Sequence, residues 1–431
     1  MFILATRLPS QWFGGQVSIQ AQALEEGNSL DRTVFLILIL LACQTLISRG
    51  FNWKGIFARN TVLCLFVVYT LCSVLWSDFA FIAFKRWFRD LGNYLVILVI
   101  LSSPMPLEAI RTVLRRLCYL LLPLSIVLIK YFPQIGRAYD SWTGTTMYLG
   151  PTTSKNGLGA ICLVSGLFLI WDIVMRWPDR RERATKRILA VNCVFLAMTL
   201  WLLSIANSAT SRVCLLMACI VIIVSSSRWH RRHPSILKIL LPAVFCVYLI
   251  LAFAFDLNGQ FAGAVGRDPT LTDRTLIWKR LREINNSPLL GTGYESFWLG
   301  ERLKLIWMEF GQINEAHNGF LEVYLNEGMI GLIILAIFIL ASYWAICRGV
   351  ALSSGQDSLN LAVWLVVLFY NMTESAFMCH FIWIVFLLAT INTGVKRAER
   401  VIGVRARKPA DGTLLVGASV QGMGVSSFRF G

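Results

Sequence analysis

Apolar runs close to membrane-spanning length recur along almost the whole chain, and no soluble fold accommodates that many. They fall at about 33–48, 60–76, 91–103, 117–132, 157–175, 188–205, 212–226, 236–255, 325–347, 358–374 and 378–393. Crossing the hydrocarbon core takes about 17–25 apolar residues as a helix. Backbone polar groups in lipid must be satisfied within the segment, which leaves helices as the spanning element for such runs. Charged residues make up only 15% of the chain and apolar ones 56%, with a mean hydropathy of +0.64. A soluble domain carries about 25% charge. The expected fold is all-α: one polytopic transmembrane bundle of about 11–12 helices, with a long exported loop containing short interfacial helices.

A net charge of +16 would suggest nucleic acid in a soluble protein. Here the basic residues are sorted instead. The connectors near 49–60, 104–116, 176–187 and 226–238, Arg348, and the tail beyond 395 hold 24 of the 40 Lys and Arg. They alternate with less basic connectors, and the positive-inside rule puts them in the cytosol. Arg176-Trp-Pro-Asp-Arg180-Arg181-Glu-Arg183 and Arg228-Trp-His-Arg231-Arg232 are the strongest markers. No nucleic-acid partner is expected; these runs suit anionic lipid heads.

The sidedness leaves Asp256–Ala316 outside the cytosol, a loop long enough to be functional. Ile277, Leu281 and Ile284 predict an amphipathic helix there, stopped by Asn285-Asn-Ser-Pro288, with a turn at Gly291-Thr-Gly293. The domain reading is an N-terminal segment 1–31 starting outside, a membrane domain 32–395 containing the loop 256–316, and a cytosolic, disordered tail 396–431. The cysteines sit mostly in apolar runs and none lies in the exported loop, which argues against a disulfide framework. No zinc spacing, P-loop or complete dinucleotide fingerprint occurs, and no cofactor is expected.

Five polar clusters fall on the outer side. They are Trp76-Ser-Asp78 with Lys85, Arg86 and Arg89; Asp140-Ser-Trp-Thr-Gly144 through Thr153-Ser-Lys155-Asn156-Gly-Leu-Gly159; Asn207-Ser-Ala-Thr-Ser211-Arg212; the long loop with Asp273, Arg274, His317 and Asn318; and Asn371-Met-Thr-Glu374-Ser375. Exported basic residues run against the topology bias. Arg212 stands at the start of an apolar helix, where the dipole disfavours a cation. A bound anion would relieve that conflict, and a snorkelling arginine at the lipid boundary is the competing explanation. Lys155 also precedes a helix, and Arg86 and Arg89 fit an interfacial helix as well as a site. No outer carboxylates or histidines have metal-ligand spacing, Glu374 and His317 being far apart in sequence, so no metal is expected. Arginines to hold a diphosphate, and an imidazole or carboxylate to take a proton from a hydroxyl, suit glycosyl transfer from a polyprenyl diphosphate sugar.

His317-Asn318, nine residues, then Gly328-Met-Ile-Gly331 resembles the signature of the bacterial O-antigen ligase and polymerase superfamily. Asp273-Arg274-Thr-Leu-Ile-Trp278 and Ser287-Pro-Leu-Leu-Gly-Thr-Gly293-Tyr-Glu-Ser-Phe297-Trp298 resemble the loop leading up to it. Thr153-Ser-Lys155-Asn156-Gly-Leu-Gly159 and Pro123-Leu-Ser resemble its exopolysaccharide-polymerase branch. The resemblance implies a metal-independent, inverting glycosyltransferase of the bacterial inner membrane with a periplasmic active site. By similarity, Arg212 and Arg274 bind the donor diphosphate and His317 acts at the reaction centre. Lys155, Asn156, Asn318, Glu374 and Arg86 are the expected substrate-binding residues. Expected partners are a polyprenyl-diphosphate-linked oligosaccharide, membrane lipid, and other exopolysaccharide export and chain-length proteins. The leading reading is a polymerase of repeat units; a ligase to a lipid acceptor and a transporter or flippase are the alternatives. Family members place both termini in the cytosol, whereas the count here starts outside, as if one spanning helix were missing.

Overall fold

The computed structural model describes residues 1–13, 27–139, 144–227, 234–254, 270–350, 355–378 and 380–394. The expected tail 396–431, the start of the exported loop and the Arg228–His233 stretch lie outside the described residues. The main helices are α1 (Ser29–Ser48), α2 (Thr61–Cys72), α3 (Ala80–Leu101), α4 (Pro106–Tyr131), α5 (Lys155–Arg176), α6 (Arg183–Ala206), α7 (Ala209–Ser226), α8 (Pro234–Ala254), α9 (Thr270–Ile284), α10 (Gly300–Phe310), α11 (Gly319–Val350), α12 (Gly355–Tyr370) and α13 (Phe381–Thr390). The protein is an all-α polytopic bundle. Its one sheet among the described residues is a hairpin of two short strands, β1 (Arg137–Tyr139) and β2 (Thr146–Tyr148), with Arg137 opposite Tyr148.

Every expected apolar run contains a helix. Among the described residues six are long and apolar enough to cross a membrane: α1, α4, α5, α6, α7 and α11. A seventh is counted if the helical turn Trp53–Arg59 and Thr61–Trp76 form one span bent by 97°. The apolar parts of α12 and α13 are shorter, and the first half of α3 carries Lys85, Arg86 and Arg89. Mean hydropathy reports how apolar a run is, not whether its helix continues, and the polar loop 371–380 interrupts the last pair.

α5 forms the centre. Ser154 caps it, its Oγ accepting from Gly157 N at 3.0 Å. The helix is then apolar on all sides, and every residue from Leu158 to Leu169 is buried, as a helix without a polar face must be. α4, α6, α7 and α12 surround it. Leu40, Ile47, Val194, Leu216, Ile239 and Trp344 are exposed on the periphery, where lipid rather than water is the compatible solvent.

The two ends of the bundle differ in their polar contacts. At one end Arg49 donates to Val99 O and Ser102, Asn60 and Asn392 exchange hydrogen bonds, and Arg115 and Arg176 converge on the buried Asp172. These are the basic connectors. At the other end the long loop folds on a second, smaller core of Leu281, Phe297, Trp298, Leu303, Ile306, Ala316 and Leu325. α9 lays Ile277, Leu281 and Ile284 against it as their spacing predicts, and Arg280 ties α9 to α10 through Glu309. The first residues join this end: Arg7 donates to Thr152 O and Ile135 O.

Helix α11 is broken at Gly328, whose φ is +67°. The break frees backbone groups that lipid could not satisfy. Pro288–Gly293 satisfies them: Thr292 N donates to Leu325 O, Gly293 N to Asn326 O, Met329 N to Pro288 O and Ile330 N to Leu289 O, at 2.8–3.2 Å. A Cβ on Gly328 would collide with Leu289 O, and one on Gly291 with Asn326 O. Gly328 therefore marks a break in the helix.

Candidate active site

All five polar clusters named from the sequence meet through direct contacts. Trp76 Nε1 donates to Leu290 O, Arg302 pairs with Asp78, and Arg86 donates to Glu295 O, so the first cluster holds the long loop. The other four meet at the loop 371–375 between α12 and α13. Asn156 Nδ2 donates to Glu374 Oε1 at 2.8 Å. Thr210 and Thr373 share a hydroxyl hydrogen bond of 2.7 Å. Arg274 Nη1 donates to Thr373 O at 3.0 Å. Gly319 N donates to both Asn371 O and Glu374 O.

His317 sits over this loop. Its backbone φ is +49°, in the left-handed region that a non-glycine residue seldom adopts. Two bonds pin the preceding peptide: Ala316 N donates to Glu322 Oε2 at 2.9 Å, and Ala316 O accepts from Trp278 Nε1 at 2.8 Å. Trp298 Nε1 and Asn326 Nδ2 fix Glu322 Oε1 in turn. The imidazole Nδ1 is shielded from solvent, 3.0 Å from Glu315 Oε1 and 3.7 Å from Glu374 Oε2. Nδ1 thus faces two carboxylates at ion-pair distance, with angles outside ordinary hydrogen-bond geometry.

Burial alone would lower the His317 pKa. Hydrogen bonding to Glu315 and then Glu374, with their charges, outweighs it and pushes the pKa up to about 9. Burial would raise Glu315, but its hydrogen bond to His317 and the charges of His317, His380 and Arg274 bring it below the usual carboxylate value. The resting pair at neutral pH is imidazolium and carboxylate.

Glu315, His317 and Glu374 each offer a ligand atom, and these atoms lie within 4.8 Å of one another. They could share one cation. Sequence separation was therefore a poor guide, because Glu374 arrives from a different helix pair and Glu315 is a loop residue. A metal would have to displace the proton that the two carboxylates hold on His317.

The remaining expected site residues fall into different surroundings. Lys155 is exposed at the first turn of α5, beside Asn156. Asn318 is a helix cap: its Oδ1 accepts from Phe320 N and Leu321 N, and its Nδ2 reaches Met372 O. Arg212 folds back onto the preceding helix, where it donates to Leu203 O, Ser204 O and Asn207 Oδ1. The C-terminal dipole of α6 thus offsets the unfavourable start of α7 without any bound anion. Glu315, Glu322, Trp278 and Trp298 went unassigned in the sequence; the two tryptophans stood within motif segments, but nothing local marked their partners.

The structure is a polytopic helical bundle whose long loop and broken helix α11 bring arginine, histidine and carboxylates together. Residues 194–336, which include Arg212, Arg274, His317 and Asn318, match the family model described as O-Antigen ligase. The chain is also 24% identical over 324 residues to the exopolysaccharide production protein ExoQ of Rhizobium meliloti (strain 1021). That alignment covers 72% of this chain and 69% of the relative. Together these matches support an O-antigen ligase/polymerase-like family for the chain.

Proposed function

We propose that this protein is an inner-membrane glycosyltransferase that polymerises lipid-linked repeat units of an exopolysaccharide on the periplasmic side. Supporting this is the joining of Glu315, His317 and Glu374 to Arg274 through the loop 371–375. The family match and the exopolysaccharide relative support the pathway.

In this reading a hydroxyl of the acceptor glycan attacks the anomeric carbon of the donor. A new C–O bond forms as the bond to the diphosphate breaks, and the diphosphate leaves with the electron pair. A single displacement inverts the anomeric centre. Arg274 presents a planar fork to the diphosphate oxygens. Resting as imidazolium, His317 donates from Nε2 to a substrate oxygen and stabilises the charge that develops there. The hydroxyl proton passes to a carboxylate of the cluster, Glu374 being the one that Asn156 holds in place. Lys155 and Arg212, both exposed, add positive charge around the diphosphate, and Arg86 steadies the loop over it. Guanidinium and imidazolium supply the charge a divalent ion would, so turnover is metal-independent.

The test is polymer formation by purified protein supplied with a lipid-linked repeat unit, in EDTA. A ladder that His317→Ala abolishes at normal protein level supports the reading. Activity that chelation removes and a divalent ion restores rules out the metal-free mechanism. Transfer of single glycans to a lipid acceptor, with no ladder, makes the protein a ligase instead.

A further inference from the structure

Glu315, His317 and Glu374 meet in an arrangement that hydrogen bonding does not complete. His317 Nδ1 lies 3.0 Å from Glu315 Oε1 and 3.7 Å from Glu374 Oε2, yet no hydrogen bond of ordinary geometry satisfies this solvent-shielded atom. Glu374 is only 7% exposed. Its Oε1 accepts from Asn156 Nδ2 at 2.8 Å, which leaves Oε2 facing the imidazole. Its backbone is fixed as well, Glu374 N donating to Tyr370 O and Glu374 O accepting from Gly319 N. A buried carboxylate aimed at an imidazole nitrogen, and oriented by an outer hydrogen-bond donor, is the way proteins prepare a metal ligand.

The spacing fits an ion. A metal bound tetrahedrally at about 2.0–2.2 Å by nitrogen and oxygen holds its ligand atoms about 3.3–3.6 Å apart. The distances of 3.0 and 3.7 Å bracket that range. The third edge, between the two carboxylates, is within 4.8 Å. Glu315 is a partly exposed loop residue whose side chain can rotate to close it. One imidazole with two carboxylates suits a first-row transition ion such as Zn²⁺, whereas Mg²⁺ and Ca²⁺ prefer shells of oxygen alone. Three protein ligands leave a fourth position open. The positive charge of Arg274 reaches Glu315 and opposes a cation there, so the ion exchanges rather than stays.

We propose that this cluster is an inhibitory site for a divalent transition-metal ion, with Glu315, His317 and Glu374 as its ligands. The inhibition rests on the proposed glycosyl-transfer reading, in which His317 donates to a substrate oxygen as imidazolium and Glu374 takes the acceptor proton. The ion replaces the imidazolium proton, which leaves to solvent, and occupies the Glu374 oxygen that faces the imidazole. Both roles are lost while it is bound, and no substrate bond forms or breaks.

Binding is measured apart from turnover. Full-length protein has its accessible cysteines alkylated, Cys72, Cys193 and Cys246 being exposed, so that thiolates do not compete. It is then titrated with Zn²⁺ by equilibrium dialysis, and the loaded protein is examined by X-ray absorption. One equivalent is expected, in a shell of nitrogen and oxygen with a single imidazole. As monodisperse protein, Glu315→Gln, Glu374→Gln and Asn156→Ala should each bind it about ten-fold or more weakly. With a lipid-linked repeat unit supplied, Zn²⁺ that fills the site should stop polymer formation, and EDTA should restore it. No bound equivalent, a shell without imidazole, or binding that survives both glutamate variants overturns the proposal. So does polymer formation that continues or quickens with the site filled. Zinc held through these residues by a protein that forms no polymer under any condition upholds the site and rejects the reading on which the inhibition rests.

Discussion

At the scale of single residues, the protonation of His317 decides between two chemistries. With its pKa pushed up to about 9, a role that needs the imidazolium gives activity that is level from about pH 6.5 to 8 and falls as pH rises through about 9. A neutral general base gives the opposite limb, rising toward pH 9. The pH profile of kcat in the wild type, with His317→Gln as a donor-only control, separates them. The same shift acts on stability. A folded pKa above the ordinary value near 6.5 means the stabilisation is complete below about pH 6.5 and is lost as pH rises through about 9. The thermal midpoint of wild type minus that of His317→Gln should therefore shrink between pH 6 and pH 10. Arg274→Lys keeps the charge and loses the fork, and should remain impaired; Arg274→Ala should cost about 2–5 kcal/mol, on the order of 30-fold or more in rate. Normal turnover in Arg274→Ala would reduce it to a brace for Thr373. His317 and Arg274 were legible in the sequence because a histidine and arginines are conspicuous on an exported face. Glu315 and Glu322 were not. Their roles come from the left-handed turn at His317 and from contacts with Trp298 and Glu374, which local spacing does not encode.

Among the elements, hydropathy located nearly every helix, because a run of apolar residues is a local property. It misjudged what happens inside them. The break in α11 depends on carbonyl and amide partners from Pro288–Gly293, some forty residues earlier, which nothing beside Gly328 in the sequence encodes. Replacing it separates the two effects. Gly50 has φ +57° with nothing within 4 Å of where a Cβ would stand, whereas Gly328 has φ +67° and its Cβ would meet Leu289 O. Gly50→Ala should cost only the backbone share, about 1–2 kcal/mol. Gly328→Ala should cost clearly more, read as a larger drop in thermal midpoint in detergent. Equal losses would mean that the exported loop yields freely. The β1–β2 hairpin was missed, being a short element set by tertiary contact rather than by period, and α10, though short loop helices were expected, was not located.

For the whole molecule, the proposed orientation places residues 256–316 in the periplasm and the tail after Lys396 in the cytosol. Reporter fusions at Gly300 and Gly412 should report opposite compartments; one shared compartment would refute the map. The stitching of Pro288–Gly293 into the gap at Gly328 bears on how such a chain is made. The helix that follows the exported loop has no complete set of backbone partners of its own, and the loop supplies the missing ones. In the proposed orientation its second half can settle into lipid only after the preceding segment has crossed the membrane and folded. Export of the loop is then a checkpoint in biogenesis, and a protein that fails to translocate it never assembles a reaction centre on the wrong side.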